Sequence, residues 1–124
     1  MKIQSDAYPA HVRAFSRLLI RLRAELGNDL DQVLILAVVA ERYYAAIEAA
    51  PCTDPPETRG INAYSVALYT DIPRETVRRK VKLLVEKGWL DCDGRGHLTP
   101  TEQAARDLQD GTAATLDYIR AIAR

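Results

Sequence analysis

Ile61 to Thr99 read INAYSVALYTDIPRETVRRKVKLLVEKGWLDCDGRGHLT. The stretch divides into a short apolar segment, a turn at Asp71-Ile72-Pro73, a basic segment and a glycine-bearing hairpin. Pro73 cannot continue a preceding helix and is well placed in the first turn of a new one. After it, Val77, Val81, Leu84 and Val85 recur at spacings of four, three and one, which is one face of an α-helix. That face must be buried. The opposite side carries Glu75, Arg78, Arg79, Lys82 and Glu86, with Arg74 and Lys80 on the flanks and Leu83 turned partly outward. Gly88 stops the helix as a left-handed cap commonly does.

Five of the nine residues from Arg74 to Lys82 are cationic and only Glu75 is acidic. A charged helix face is ordinarily just solvated. Here, however, the cations crowd the end of the helix where the dipole is already positive. A phosphate partner removes that conflict, so the expected ligand is nucleic acid. The chain as a whole has formal net charge +0 and a pI near 6.7. The charge is therefore local. Residues 74–98 hold seven cations and four acids, net +3, while residues 51–73 hold one cation and three acids, net −2. Distribution rather than total points to a nucleic-acid face.

Working outward, residues 62–70 read as a first helix packed through Ala63, Val66, Ala67 and Tyr69, with Ile72 as a core plug in the turn. Residues 62–87 thus form two helices around a tight turn. Trp89 to Asp91, the turn Asp93-Gly94-Arg95-Gly96, and His97 to Thr99 predict a small two-stranded hairpin over 89–99. Thr99 then reads as an N-cap, Pro100 as the first helical residue and Glu102 as the closing acid of a capping box. The last helix spans 100–123 with a break expected at Asp110-Gly111, and carries Leu108, Leu116, Ile119 and Ile122 beside Tyr118. Upstream, residues 9–26 form a helix in which Val12, Phe15, Leu19, Leu22 and Leu26 make a narrow seam. Such a seam serves equally an intramolecular contact or a dimer. Gly27-Asn28 breaks that helix and Asp29 can cap the next, an apolar helix over 29–50. Tyr43 and Tyr44 near its end read as packing residues. Residues 51–60, PCTDPPETRG, form a loop.

At 124 residues the chain is expected to be one domain, and its 48% hydrophobic content can build a core. The N-terminus has no apolar run of secretory type, and the longest apolar run, Val33 to Ala40, is too short to span a bilayer. A cytoplasmic protein without membrane contact is expected. Cys52 and Cys92 have no metal spacing and form no disulfide framework. Asp91, Asp93, Gly96 and Glu102 fit four positions of a calcium loop, but Arg95 stands where an oxygen ligand is required and Pro100 interrupts the loop. Neither His11 nor His97 has a metal-spaced partner, and no nucleophile elbow, phosphate loop or paired catalytic carboxylates occur. No metal, no cofactor and no enzymatic activity are expected.

The stretch IPRETVRRKVKLLVEKGWL resembles the recognition helix of bacterial winged helix-turn-helix transcriptional regulators, and the order of elements resembles the MarR-like group. The resemblance implies a mainly α fold with a small two-stranded β wing and flanking N- and C-terminal dimerisation helices. It implies a homodimer bound to double-stranded DNA at a pseudo-palindromic operator, its half-sites one DNA turn apart. Val12, Phe15, Leu19, Leu22, Leu116, Ile119 and Ile122 would then build the dimer. Matched by position, Arg74, Thr76, Arg78 and Arg79 would face the groove and Arg95 would form the wing tip. Lys80, Lys82 and His97 would add phosphate or groove contacts. Arg79 reads as the best single base reader, and Glu75 either accepts from cytosine or holds an arginine in place. The wing is short, Pro73 stands where a capping Ser or Thr is common, and the loop at 51–60 reads as an insertion. A second reading, from another class, is a winged helix used for protein contact in a replication, partition or chromosome-organising assembly. A third adds a small-molecule effector, for which Tyr43, Tyr44 and Tyr64 are the hint.

Overall fold

The computed structural model describes residues 7–49 and 60–123. Cys52 and all of the 51–60 loop except Gly60 lie outside the described residues. Among the described residues the elements run α1 (Ala7–Glu25), α2 (Leu30–Ala49), β1 (Ile61–Asn62), α3 (Ala63–Thr70), α4 (Arg74–Glu86), β2 (Leu90–Cys92), β3 (His97–Pro100), α5 (Glu102–Asp107) and α6 (Gln109–Ile122). The fold is mainly helical with a small antiparallel sheet. The chain divides into two compact units. One is Asp31–Asp107. The other joins the chain up to Leu30 with the segment from Leu108 onward.

In the Asp31–Asp107 unit, Ile35 and Val39 of α2, Val66 of α3, and Val77 and Leu84 of α4 are fully buried. Leu90 and Leu98 of the sheet are nearly so. α3 starts because the Asn62 side chain accepts a hydrogen bond from the Ser65 amide at 2.8 Å. It ends at Asp71, whose φ of 62° reverses the chain. Ile72 plugs the turn, buried as its apolar character predicts. Of the four expected packing residues on α3, Val66 and Ala67 are buried and Ala63 is half-buried, but Tyr69 is exposed. Tyr69 lies two residues past Ala67, about 200° around a helix, so it leaves the buried face.

Pro73 stands just before α4, at the N-cap position and not in its first turn, and its carbonyl accepts from the Val77 amide at 3.0 Å. Val77, Val81 and Leu84 are buried, whereas Val85 is exposed. One residue beyond Leu84 is a rotation of about 100°, which carries Val85 off the packed face. The helix closes with a two-bond cap. The Gly88 amide donates to Val85 at 2.9 Å and the Trp89 amide to Leu84 at 3.0 Å. Gly88 takes φ 81°, and a Cβ there would meet the Gln103 side chain at 2.6 Å.

The expected two-stranded hairpin has a third strand. The order is β1-β3-β2, with Ile61 opposite Leu98 on one side and Cys92 opposite Leu98 on the other. β1 pairs the edge of β3 that a hairpin alone leaves open. Gly60 lets it approach, since a Cβ there would lie 2.9 Å from the Leu98 carbonyl. The pairing also displaces the expected capping box. Thr99 and Pro100 are held opposite Asp91 and Leu90, so the cap falls on Thr101. Its hydroxyl oxygen accepts from the Ala104 amide at 3.0 Å and its proton goes to the Gly88 carbonyl at 2.6 Å.

In the other unit α1 packs along α6. The expected C-terminal helix is broken at Leu108, with ψ 36°, and not at Asp110-Gly111. Leu108 offers no side-chain cap, and the Glu25 carboxylate supplies one from α1, accepting from the Gly111 amide at 2.9 Å. Gly111 therefore lies inside α6 because of close approach: a Cβ would sit 3.0 Å from Leu22 Cδ2. Arg21 clamps the pair of helices, reaching Asp110 at 2.8 Å and Asp117 at 3.0 Å. The bond from Arg21 holds the Asp110 carboxyl below its ordinary range. His11 Nε2 lies 2.8 Å from the Tyr118 hydroxyl, and Phe15 sits against both rings. Leu26 is buried and Leu19 and Leu22 are half-buried, but Val12, Phe15, Leu116, Ile119 and Ile122 are exposed.

Candidate nucleic-acid interface

The outward face of α4 is built by exclusion. With Val77, Val81 and Leu84 committed to the core, the 3.6-residue period sends Glu75, Arg79, Lys82 and Glu86 to the far side. Arg79 and Lys82 are exposed and make no hydrogen bond or ion pair within 4 Å among the described residues. Arg78 is also exposed but paired: its Nε donates to Glu75 Oε2 at 3.0 Å and its Nη2 to Glu75 Oε1. The pairing holds the Glu75 carboxyl below its ordinary range and the Arg78 guanidinium above its own. Of the two sequence readings of Glu75, the one that holds an arginine is the geometry found. Lys80 and Thr76 are half-buried, on the flanks. Leu83 is 44% exposed among these charges.

Arg74 does not point away from the domain. Its guanidinium carbon lies 4.6 Å from the centroid of the Tyr64 ring on α3, a cation–π contact. Sequence reading took Tyr64 as a pocket hint and missed this role, because the contact joins two helices and leaves no local spacing signal. Tyr43 and Tyr44 meet each other edge to face at 5.5 Å. A concavity of about 380 Å³ is lined by Ala63, Tyr64, Arg74, Glu75 and Arg78. A second, also about 380 Å³, is lined by Arg78, Arg79, Lys82, Leu83 and Glu86. Arg78 borders both. Because Pro73 makes no side-chain cap, the first amides of α4 keep their capacity to donate to an anion.

The hairpin turn is organised by Asp93. Its Oδ1 accepts from the Arg95 amide at 2.8 Å and the His97 amide at 2.9 Å. These bonds, the one from His97 first, hold the Asp93 carboxyl below the ordinary aspartate value. Arg95 is exposed at the tip, as expected. His97 turns its ring inward: Nδ1 is buried and lies 3.4 Å from Asp93 Oδ2. Cys92 is an exposed thiol beside this turn.

In the unit of α1 and α6, a concavity of about 480 Å³ is bordered by Ala14, Leu18, Ile20, Arg21, Asp117 and Tyr118. Among the described residues no three His, Cys, Asp or Glu side chains gather as a metal site, and no helix is long and apolar enough to cross a membrane. No protein-family model matches this chain, and no curated protein sequence matches it.

Proposed function

We propose that this chain is a sequence-specific DNA-binding transcriptional regulator of the winged helix-turn-helix type, with α3 and α4 as the helix pair and β2–β3 as the wing. The observation that carries the reading is α4. Its Val77, Val81 and Leu84 are used by the core, while Arg79 and Lys82 stand outward beside Arg78 with no ion pair of their own among the described residues. Arg74 and the uncapped first turn add a second anion-attracting feature at the same end. Arg95 at the hairpin tip supplies a separate cation. Pairing of two copies through the exposed apolar residues of α1 and α6 would bring two such helices to one pseudo-palindromic site.

Fluorescence anisotropy on labelled duplex DNA tests this. If a dimer neutralises about six to ten phosphates, affinity falls by roughly three to five decades between about 50 and 200 mM salt. Absence of duplex binding at the lower salt overturns the reading. One observation favours the protein-contact alternative: α3 carries no charge, and its Leu68 and Tyr69 are 67% and 64% exposed. Apolar exposure of this kind suits a protein partner better than DNA, and under that reading the cations of α4 would meet acidic side chains.

A further inference from the structure

We infer that Arg78, held by Glu75, reads a guanine in the major groove, and that Glu75 is the residue that positions it. The inference rests on the DNA-binding reading above and adds to it which base is read and by which pair.

The geometry is that of a side-on ion pair. Arg78 uses Nε and one Nη2 hydrogen on the two oxygens of Glu75. A guanidinium has five N–H donors in a rigid plane. Two are occupied. Among the described residues the Nη1 and remaining Nη2 hydrogens along the end of the plane have no acceptor. That edge is a pair of parallel donors, the arrangement that meets guanine O6 and N7 together.

Three further points separate this role from a phosphate contact. First, a phosphate brought to Arg78 would also approach the Glu75 carboxylate, which repels it. The pair carries no net charge and gains little from the bulk field of DNA. Second, both side chains are about two-thirds exposed, 65% for Arg78 and 68% for Glu75. An ion pair so exposed adds little to folding stability, so stability alone gives no reason to keep the only acid of residues 74–82 at this place. Third, an arginine already restrained loses less rotamer freedom on meeting a base, which sharpens discrimination. Arg79 and Lys82 make no such bond among the described residues and suit the phosphates. The base-reading role that sequence position alone assigned to Arg79 passes to Arg78.

The experiment begins with selection of a preferred site from a random-sequence duplex library by the wild-type protein. Anisotropy titrations then compare each selected guanine with 7-deazaguanine, which lacks only the N7 acceptor, and with adenine. They use the wild type, Arg78→Ala, Glu75→Ala and Arg79→Ala. At one guanine per half-site the wild type is expected to lose at least about 5-fold in affinity on 7-deaza substitution. Arg78→Ala shows no such loss. Glu75→Ala keeps or gains affinity for non-cognate duplex, yet its preference for guanine over adenine there falls about ten-fold. A purely structural role for Glu75 would weaken all sequences alike. Full guanine preference in Glu75→Ala overturns the inference, as does a 7-deaza effect that disappears in Arg79→Ala but persists in Arg78→Ala. Both outcomes leave DNA binding standing. A wild type that binds no duplex removes the regulator reading and this inference with it.

Discussion

Val77 and Leu84 on α4 are fully buried, whereas Phe15 on α1 and Ile119 on α6 leave 45% and 48% of their surface in water. All four lie on apolar stripes at helical spacing. The difference is in what surrounds them. α4 packs against α3 and β2 within its unit, and its stripe faces a core that also holds residues of α2 and β3. α1 and α6 have principally each other. Two helices can bury only the strip along which they meet, and here that strip holds Gly111, Ala114, Leu22 and the Arg21 clamp. The comparison teaches that a similar sequence pattern completes a core in one place and leaves an exposed apolar surface in the other.

The largest expected effect bears on that surface. Phe15→Glu combined with Ile119→Glu should turn a dimer mass into a monomer mass in light scattering at micromolar concentration. Loss of the second half-site contact should lower operator affinity by about two to four decades. A wild-type protein that already scatters as a monomer, with or without DNA, breaks the dimer half of the comparison.

A smaller effect measures the two stripes against each other. Leu84→Ala should cost about 2–5 kcal/mol in urea unfolding. Leu116→Ala, at a residue 47% exposed, should cost about 1 kcal/mol or less in a variant held monomeric by Phe15→Glu and Ile119→Glu. Equal costs would mean that α1 and α6 are as fully packed as α4.

The smallest effect concerns the hairpin. The Asp93 carboxyl is held below its ordinary value by the His97 and Arg95 amides. A group depressed in the folded state contributes stability above the unfolded value and loses it as pH falls through the folded one. Hydrogen exchange at the Arg95 and His97 amides should therefore lose protection only below the ordinary aspartate range. In Asp93→Asn, whose amide oxygen can still accept, that pH dependence should vanish. Protection that is flat with pH in the wild type would remove Asp93 as the turn's organiser.

The sequence by itself determined the parts whose partners are close along the chain. Helical periodicity marked Val77, Val81 and Leu84 as buried, and the three-residue offset of Glu75 and Arg78 put the pair within reach of each other. Pro73, Gly88 and the Asp93-to-Gly96 turn mark boundaries that the backbone respects, because their conformational preferences are intrinsic. Only the tertiary structure decided the rest. Ile61 and Asn62 joined a sheet because β3 had an open edge far along the chain, as the Ile61–Leu98 and Asn62–His97 pairs record. Thr101 displaced Thr99 as the cap because strand pairing had already taken Thr99 and Pro100. Arg74 folded back onto Tyr64 across a turn. Glu25 capped a helix whose own first residues could not. In each case the deciding partner lies on a different element, and a window of neighbouring residues carries no record of that distance.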